Sequence, residues 1–240
     1  MQLIEAKNSE ELFNLAAEKL VEIAKDSIAE RGQFTLALSG GSTPKKLYSL
    51  LTQEPFRSQV EWQKIRFFFG DERNVAIDSE ESNFRMVNEA LFSKVEIPTK
   101  NIHRFLTEKG EPKIVAEEME RETQEVFELR ENEFPRFDLI FLGMGNDGHT
   151  ASLFPETEGL KEDKRIVIEN YVPKFDTFRL TFTFPTINNA RNIMFLISGQ
   201  EKAETLREVL YGEFQPEKLP SQAVKPVNGN LLFLTDIKLK

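Results

Sequence analysis

Three short apolar runs each give way at once to a polar turn containing glycine, and this pattern constrains the fold more than any other feature. Thr35-Leu36-Ala37-Leu38 leads into Ser39-Gly40-Gly41-Ser42-Thr43-Pro44. Ile65-Arg66-Phe67-Phe68-Phe69 leads into Gly70-Asp71-Glu72-Arg73. Phe137-Asp138-Leu139-Ile140-Phe141-Leu142 leads into Gly143-Met144-Gly145-Asn146-Asp147-Gly148-His149. Runs this short and apolar read as strands buried on both faces, as happens where helices cover both sides of a parallel sheet. Open α/β sheets bind ligands beyond the carboxyl ends of such strands, so the three turns are expected to converge on one rim.

The remaining pattern alternates strand and helix. A strand is expected over 2–6. Asn8 and Glu11 have the spacing of a capping box ahead of Leu12, Ala16, Leu20, Ala24 and Ile28, with Gly32 as the stop. A helix carrying Leu47, Leu50 and Leu51 follows the first turn, with Thr43 as N-cap and Pro44 as first helical residue. Further helices are expected over 83–91 and 112–130. Strands are expected over 165–169, 178–184, 192–197 and 231–234. Ser198 and Glu201 read as a second capping box before a helix to about Leu210. Residues 94–109, where Pro98 breaks the pattern, read as a small insertion. The economical solution is one three-layer α/β domain over 1–240 with a largely parallel, mixed sheet.

Composition narrows the function classes. With no cysteine in 240 residues, disulfides, thiolate metal sites and a cysteine nucleophile are excluded. A net charge of −9 argues against broad contact with nucleic acid or an anionic membrane. No basic leader and no run of about 20 apolar residues is present, so a cytoplasmic location is expected. Phe supplies 21 residues, and with no polar handle it favours packing.

The turns hold the candidate chemistry. Gly40 and Gly41 permit close backbone approach, Ser42 and Thr43 add hydroxyls, and the following helix directs free N–H groups at the turn, which suits phosphate. A plain glycine turn with a helix cap fits the same residues. The Walker pattern is absent, and the late G-x-G-x-x-G run at 143–148 lacks the long apolar helix a dinucleotide site needs. His149 can act as general base near neutral pH or merely brace its loop. The other histidine, His103, has no such context and reads as structural. Arg73 can fork onto phosphate or close a strand-end ion pair with Asp71 or Glu72. Lys202 at a helix start is unfavourable to the helix dipole unless an anion is bound there. No metal-ligand spacing is visible.

Together these motifs, with Ser82-Asn83-Phe84-Arg85-Met86 and the run Thr150-Ala151-Ser152-Leu153-Phe154-Pro155, resemble the 6-phosphogluconolactonase family. The resemblance spans roughly 36–202, with a weaker tail at Leu219-Pro220 and 234–236. It implies a modified Rossmann fold of the NagB/RpiA-like type, shared with glucosamine-6-phosphate deaminase. It also implies hydrolysis of 6-phosphogluconolactone, a small sugar-phosphate substrate, no cofactor and no metal. By the same resemblance, His149 activates water and Asp147 orients it. Gly40, Gly41, Ser42 and Thr43 hold phosphate, with Arg179 and Lys202 as cationic partners. Arg73 binds substrate, Asn83 and Arg85 support the pocket, and Asp71 acts as reactant or brace. The family commonly has proline where this chain has Asn146; asparagine suits a turn, so the loop is expected to survive. An amino-sugar-phosphate isomerase or deaminase with Asp71 as proton shuttle, and a sugar-phosphate-responsive regulator without turnover, are the alternatives. Physical protein partners are not legible in the sequence.

Overall fold

A computed structural model of the chain describes residues 1–239. Among them, strands β1 (Gln2–Glu5), β2 (Phe34–Leu38), β3 (Ile65–Phe69), β4 (Asp71–Arg73), β5 (Leu139–Leu142), β6 (Val167–Val172), β7 (Thr177–Phe182), β8 (Asn192–Ile197) and β9 (Asn230–Thr235) form two sheets. The larger has the order β1-β9-β8-β5-β2-β3 and is parallel at every pair. The smaller is antiparallel, β4-β7-β6. The expected α/β architecture is therefore present, with its antiparallel strands gathered into a sheet of their own.

Seven helices accompany them: α1 (Ser9–Arg31), α2 (Ser42–Leu51), α3 (Phe56–Gln59), α4 (Asn83–Ala90), α5 (Pro112–Phe127), α6 (Phe184–Asn188) and α7 (Ala203–Tyr211) among the described residues. The phenylalanines of β3 show how layers form on the two faces of the parallel sheet. Successive strand residues point to opposite faces. Phe67 and Phe69 meet Phe92, and Phe69 also meets Phe84 of α4. Phe68 faces the other way, onto Phe127 of α5 and Phe137, which in turn packs on Phe182 of β7. Each such ring contributes about 1.5–3 kcal/mol on full burial.

Strand order also sets the site. From β2 the chain passes to β3 on one side, while its other neighbour, β5, leads on to β8 and β9. Connections thus leave this adjacent pair in opposite directions, which opens a crevice at their carboxyl ends. At the other end of the pair, buried Asp138 accepts from Thr35 N (2.8 Å) and Oγ1 (2.9 Å) and pairs with Arg31 (2.9 Å), tying β2 to the chain entering β5.

Several local expectations are corrected. Gly70-Asp71-Glu72-Arg73 is not simply a turn, because 71–73 form β4 on β7. Asn8 caps α1 through Glu11 N (2.9 Å), but Glu11 returns its carboxylate to Lys7 N, not to Asn8. Helix α2 begins at Ser42, two residues before Pro44, and its N-cap is Gly41 without a side-chain bond. The left-handed φ of Gly41, 107°, starts the helix earlier than Thr43. Ser198 bonds Asp236 (2.7 Å) instead of capping α7, which a short turn over Gln200–Lys202 precedes. Helix α5 stops at Phe127 because Glu128 takes a left-handed conformation. Residues 94–109 are no separate insertion. They line the outer side of β3, with His103 N on Phe67 O (2.8 Å) and Asn101 Nδ2 on Ile65 O (3.0 Å), which covers a sheet edge. Buried His103 stacks on Phe68 at 4.4 Å and binds Glu122 through Nδ1, the structural part expected of it.

Candidate active site

The turn after β2 is pinned from below. Buried Tyr48, on α2, accepts from Ser39 N (3.0 Å) and donates to Ser39 O (2.9 Å). Burial pushes its hydroxyl far above the ordinary tyrosine value, so it stays a neutral donor. Gly40 is required by space: a Cβ there would stand 1.9 Å from Asn83 Oδ1. Asn83 itself donates through Nδ2 to Asp71 O (3.0 Å) and through its backbone to Glu72 Oε1 (2.7 Å). With no side-chain cap on α2 and a proline at its third position, the N–H groups of Ser42 and Thr43 are left for an anion.

The turn after β5 presents the histidine. His149 Nδ1 lies 2.5 Å from Asp147 Oδ1, which leaves Nε2 as the ring nitrogen free for chemistry. The ring stacks on Phe154 at 4.0 Å and 23°. Gly145 makes room for it, since a Cβ there would lie 2.2 Å from the imidazole. Burial acts to raise the Asp147 carboxyl, but hydrogen bonds from His149 and Lys174 outweigh it and hold the carboxyl well below the usual range. Asn146 is tied to α7 through its carbonyl, which accepts from Thr205 Oγ1 (2.7 Å).

The small sheet supplies the third wall. In the antiparallel register Asp71 faces Thr181 and Arg73 faces Arg179. Asp71 accepts from Ser152 Oγ (2.7 Å), and Arg73 donates to Glu81 O (2.9 Å). Arg179 is buried, its Nε has no partner, and its guanidinium lies 5.2 Å over the Phe175 ring. Burial and the neighbouring Arg73 both lower its pKa from the ordinary arginine value. Two guanidiniums opposed across a ladder repel, and an anion between them relieves the repulsion.

These walls enclose a cavity of about 240 Å³ lined by Gly40, Gly41, Ser42, Thr43, Asp71, Arg73, His149 and Lys202, among others. Arg179 stands beside Arg73, outside the lining. Asn83 lies beneath Gly40. Asp147 is reached through His149. Arg85 is not brought in: its side chain turns to Glu89 (2.9 Å) on α4 and to Asp78 O (2.6 Å) in the turn before it. Sequence reasoning missed Tyr48 and Lys174, and it named Glu72 as an ion-pair alternative and Ser152 within a motif without giving either a place in the site. A signal existed for Tyr48, which sits on the apolar face of α2 beside Leu47 and Leu51, where its hydroxyl needs a partner. None existed for Lys174, which arrives from a distant hairpin.

Fold and rim define a Rossmann-like α/β protein in which a glycine turn at an uncapped helix start and a carboxylate-held histidine line one cavity at a topological switch point. The family model described as glucosamine-6-phosphate isomerases/6-phosphogluconolactonase matches residues 7–233. The chain is 44% identical to 6-phosphogluconolactonase of Synechocystis over 211 residues, 88% of this chain and 85% of that protein. The solved 6-phosphogluconolactonase of Trypanosoma cruzi superposes with a TM-score of 0.87 at 31% identity, covering 99% of this chain and 94% of that one. The enzyme from Trypanosoma brucei does so with the same score at 30% identity, covering 99% and 96%. The chain belongs to the glucosamine-6-phosphate isomerase/6-phosphogluconolactonase family, and the relatives just named come from the lactonase branch that its motifs resemble. No helix among the described residues is long and apolar enough to cross a membrane.

Proposed function

We propose that this chain hydrolyses 6-phospho-D-glucono-1,5-lactone to 6-phosphogluconate in the oxidative pentose phosphate pathway, with His149 activating the attacking water. The observation that carries the reading is the 2.5 Å His149–Asp147 pair on the wall of the cavity that Gly40–Thr43, Arg73 and Lys202 also line. The 6-phosphate sits against the N–H groups and hydroxyls of Ser42 and Thr43, with Lys202 and Arg179 as cations. Anchoring there places C1 near the histidine, which converts a bimolecular attack into an oriented one. Nε2 takes a proton from water while Asp147 stabilises the imidazolium through Nδ1. The hydroxide adds to C1, and the tetrahedral oxyanion is stabilised by nearby donors, with Arg73 on the cavity wall. The C1–O5 bond breaks, the imidazolium returns its proton to O5, and the new carboxylic acid ionises.

The test uses lactone generated freshly from glucose 6-phosphate and follows 6-phosphogluconate through its own dehydrogenase, with EDTA present. The wild type is expected to exceed the spontaneous rate greatly, and His149→Ala to lose about 10²–10⁴-fold in kcat. A folded His149→Ala protein with wild-type turnover removes the base assignment. A wild type at the spontaneous rate that releases ammonia from glucosamine 6-phosphate moves the chain to the deaminase branch.

A further inference from the structure

Asp147 divides its carboxylate between two partners. Oδ1 holds His149, through Nδ1 at 2.5 Å and the backbone N–H at 3.3 Å. Oδ2 accepts from Lys174 Nζ at 2.9 Å. Lys174 is the partner that comes from outside the 143–149 turn. It sits at the tip of the β6–β7 hairpin, in the short turn Pro173–Phe175.

The next residue reaches the other member of the pair. Phe175 meets Phe154 edge-on at 5.6 Å and 82°, and Phe154 stacks on His149. Two consecutive tip residues thus bear on Asp147 and, through one ring, on His149. The tip is itself held: Asp176 is left-handed, with φ 48°, and accepts from Tyr171 Oη at 2.5 Å across the hairpin. Arg179 leaves the same hairpin and stacks on Phe175.

We propose that Lys174 is a positioning residue for the His149–Asp147 pair, fixing the outer carboxylate oxygen so that the inner one stays on Nδ1. The proposal rests on the reading of His149 as the base. An ion pair as exposed as this, with Lys174 at 61% exposure, contributes about 0–1 kcal/mol to stability. Its value is therefore geometric: it restrains the outer oxygen, Oδ2, which has no other hydrogen-bond partner among the described residues, while Oδ1 is held by His149 alone. A reacting group displaced by about 1 Å loses roughly a hundredfold in rate, and a loosened one loses part of that.

The experiment compares Lys174→Met and Lys174→Arg with the wild type. Lys174→Met is expected to lower kcat about tenfold, to change KM less than twofold and to leave Tm within about 2 °C, with Lys174→Arg recovering most of the loss. The exchange rate of the His149 Nδ1 proton, followed by NMR on the free protein, is expected to rise at least fivefold in Lys174→Met and to stay near wild type in Lys174→Arg. Lowered kcat with unchanged exchange would mean that Lys174 acts on substrate directly, and overturns positioning through Asp147. Wild-type kcat in Lys174→Met also overturns it, whatever the exchange rate. If the wild type proves not to hydrolyse the lactone, the functional reading fails separately, and the exchange rate alone decides whether Lys174 holds the pair.

Discussion

Gly40 should tolerate no side chain, and the reason is a single neighbour. An alanine Cβ there would lie 1.9 Å from Asn83 Oδ1, 2.3 Å from Cγ and 2.7 Å from Nδ2. Asn83 cannot simply swing away, because it is buried and bound to Asp71 O and Glu72. If the backbone yields, overpacking costs about 1–3 kcal/mol. If Asn83 rotates, the Asp71 carbonyl loses a partner, at a similar cost of about 1–3 kcal/mol. Gly40→Ala is thus expected to lose about 1–3 kcal/mol by whichever route is cheaper, which lowers Tm by about 2–12 °C at this chain length. Chemical denaturation of Gly40→Ala, Asn83→Ala and the double variant isolates the cause. Asn83→Ala removes all three clashing atoms, so the double variant should be more stable than the sum of the singles predicts by at least about 1 kcal/mol. Additivity within about 0.5 kcal/mol would refute the argument, because it would place the strain elsewhere.

Three further outcomes follow from buried charges, two at the site and one at the opposite end of the sheet. Burial pushes the Glu72 carboxyl up to about 7, against the N–H groups of Asn83, Phe84 and Arg73 that favour its anion. A folded value above the unfolded one gives stability that is whole below about pH 4.5 and lost as pH rises through about 7, on the order of 3 kcal/mol in all. Glu72→Gln should remove that share of the Tm-versus-pH slope between about pH 4.5 and 7, and an unchanged slope in thermal melts would count against it. Arg179→Met should raise KM for the lactone about 10–100-fold, the worth of a charge-assisted contact, while leaving Tm level or higher because a repelling buried cation is gone; steady-state kinetics beside calorimetry check both. Asp138→Ala strands Arg31 and the Thr35 donors at the far end of the sheet, so urea unfolding should show a loss of about 3 kcal/mol with kcat of the folded protein unchanged.

How much was legible differs between elements and their placement. Helix α1 could be read nearly to its ends, because Asn8, the apolar stripe and Gly32 act within the helix itself. The buried strands could be read for the same local reason. The segment 71–73 could not, since it becomes a strand only by pairing with β7 more than a hundred residues later. Glycine spacing located the turn after β2, yet the need for glycine at 40 lies in Asn83, which no local pattern reveals. Arg85, beside Asn83 in a recognisable motif, points along α4 to Glu89 because helical neighbours four apart lie on one face.

By itself, then, the sequence determined most of the strands and helices and the polar turns at strand ends, with the glycines, hydroxyls and histidine they carry. Hydrophobic periodicity, caps and turn chemistry are short-range, so they are written in consecutive residues. The tertiary structure alone decided which cations share a wall, that Arg179 opposes Arg73, that Asn83 fills the space under Gly40, and that Lys174 reaches Asp147. Those facts depend on strand register and on the crevice opened where connections leave β2 and β5 in opposite directions. Register and crossover are settled by long-range packing, whose partners lie tens to hundreds of residues apart.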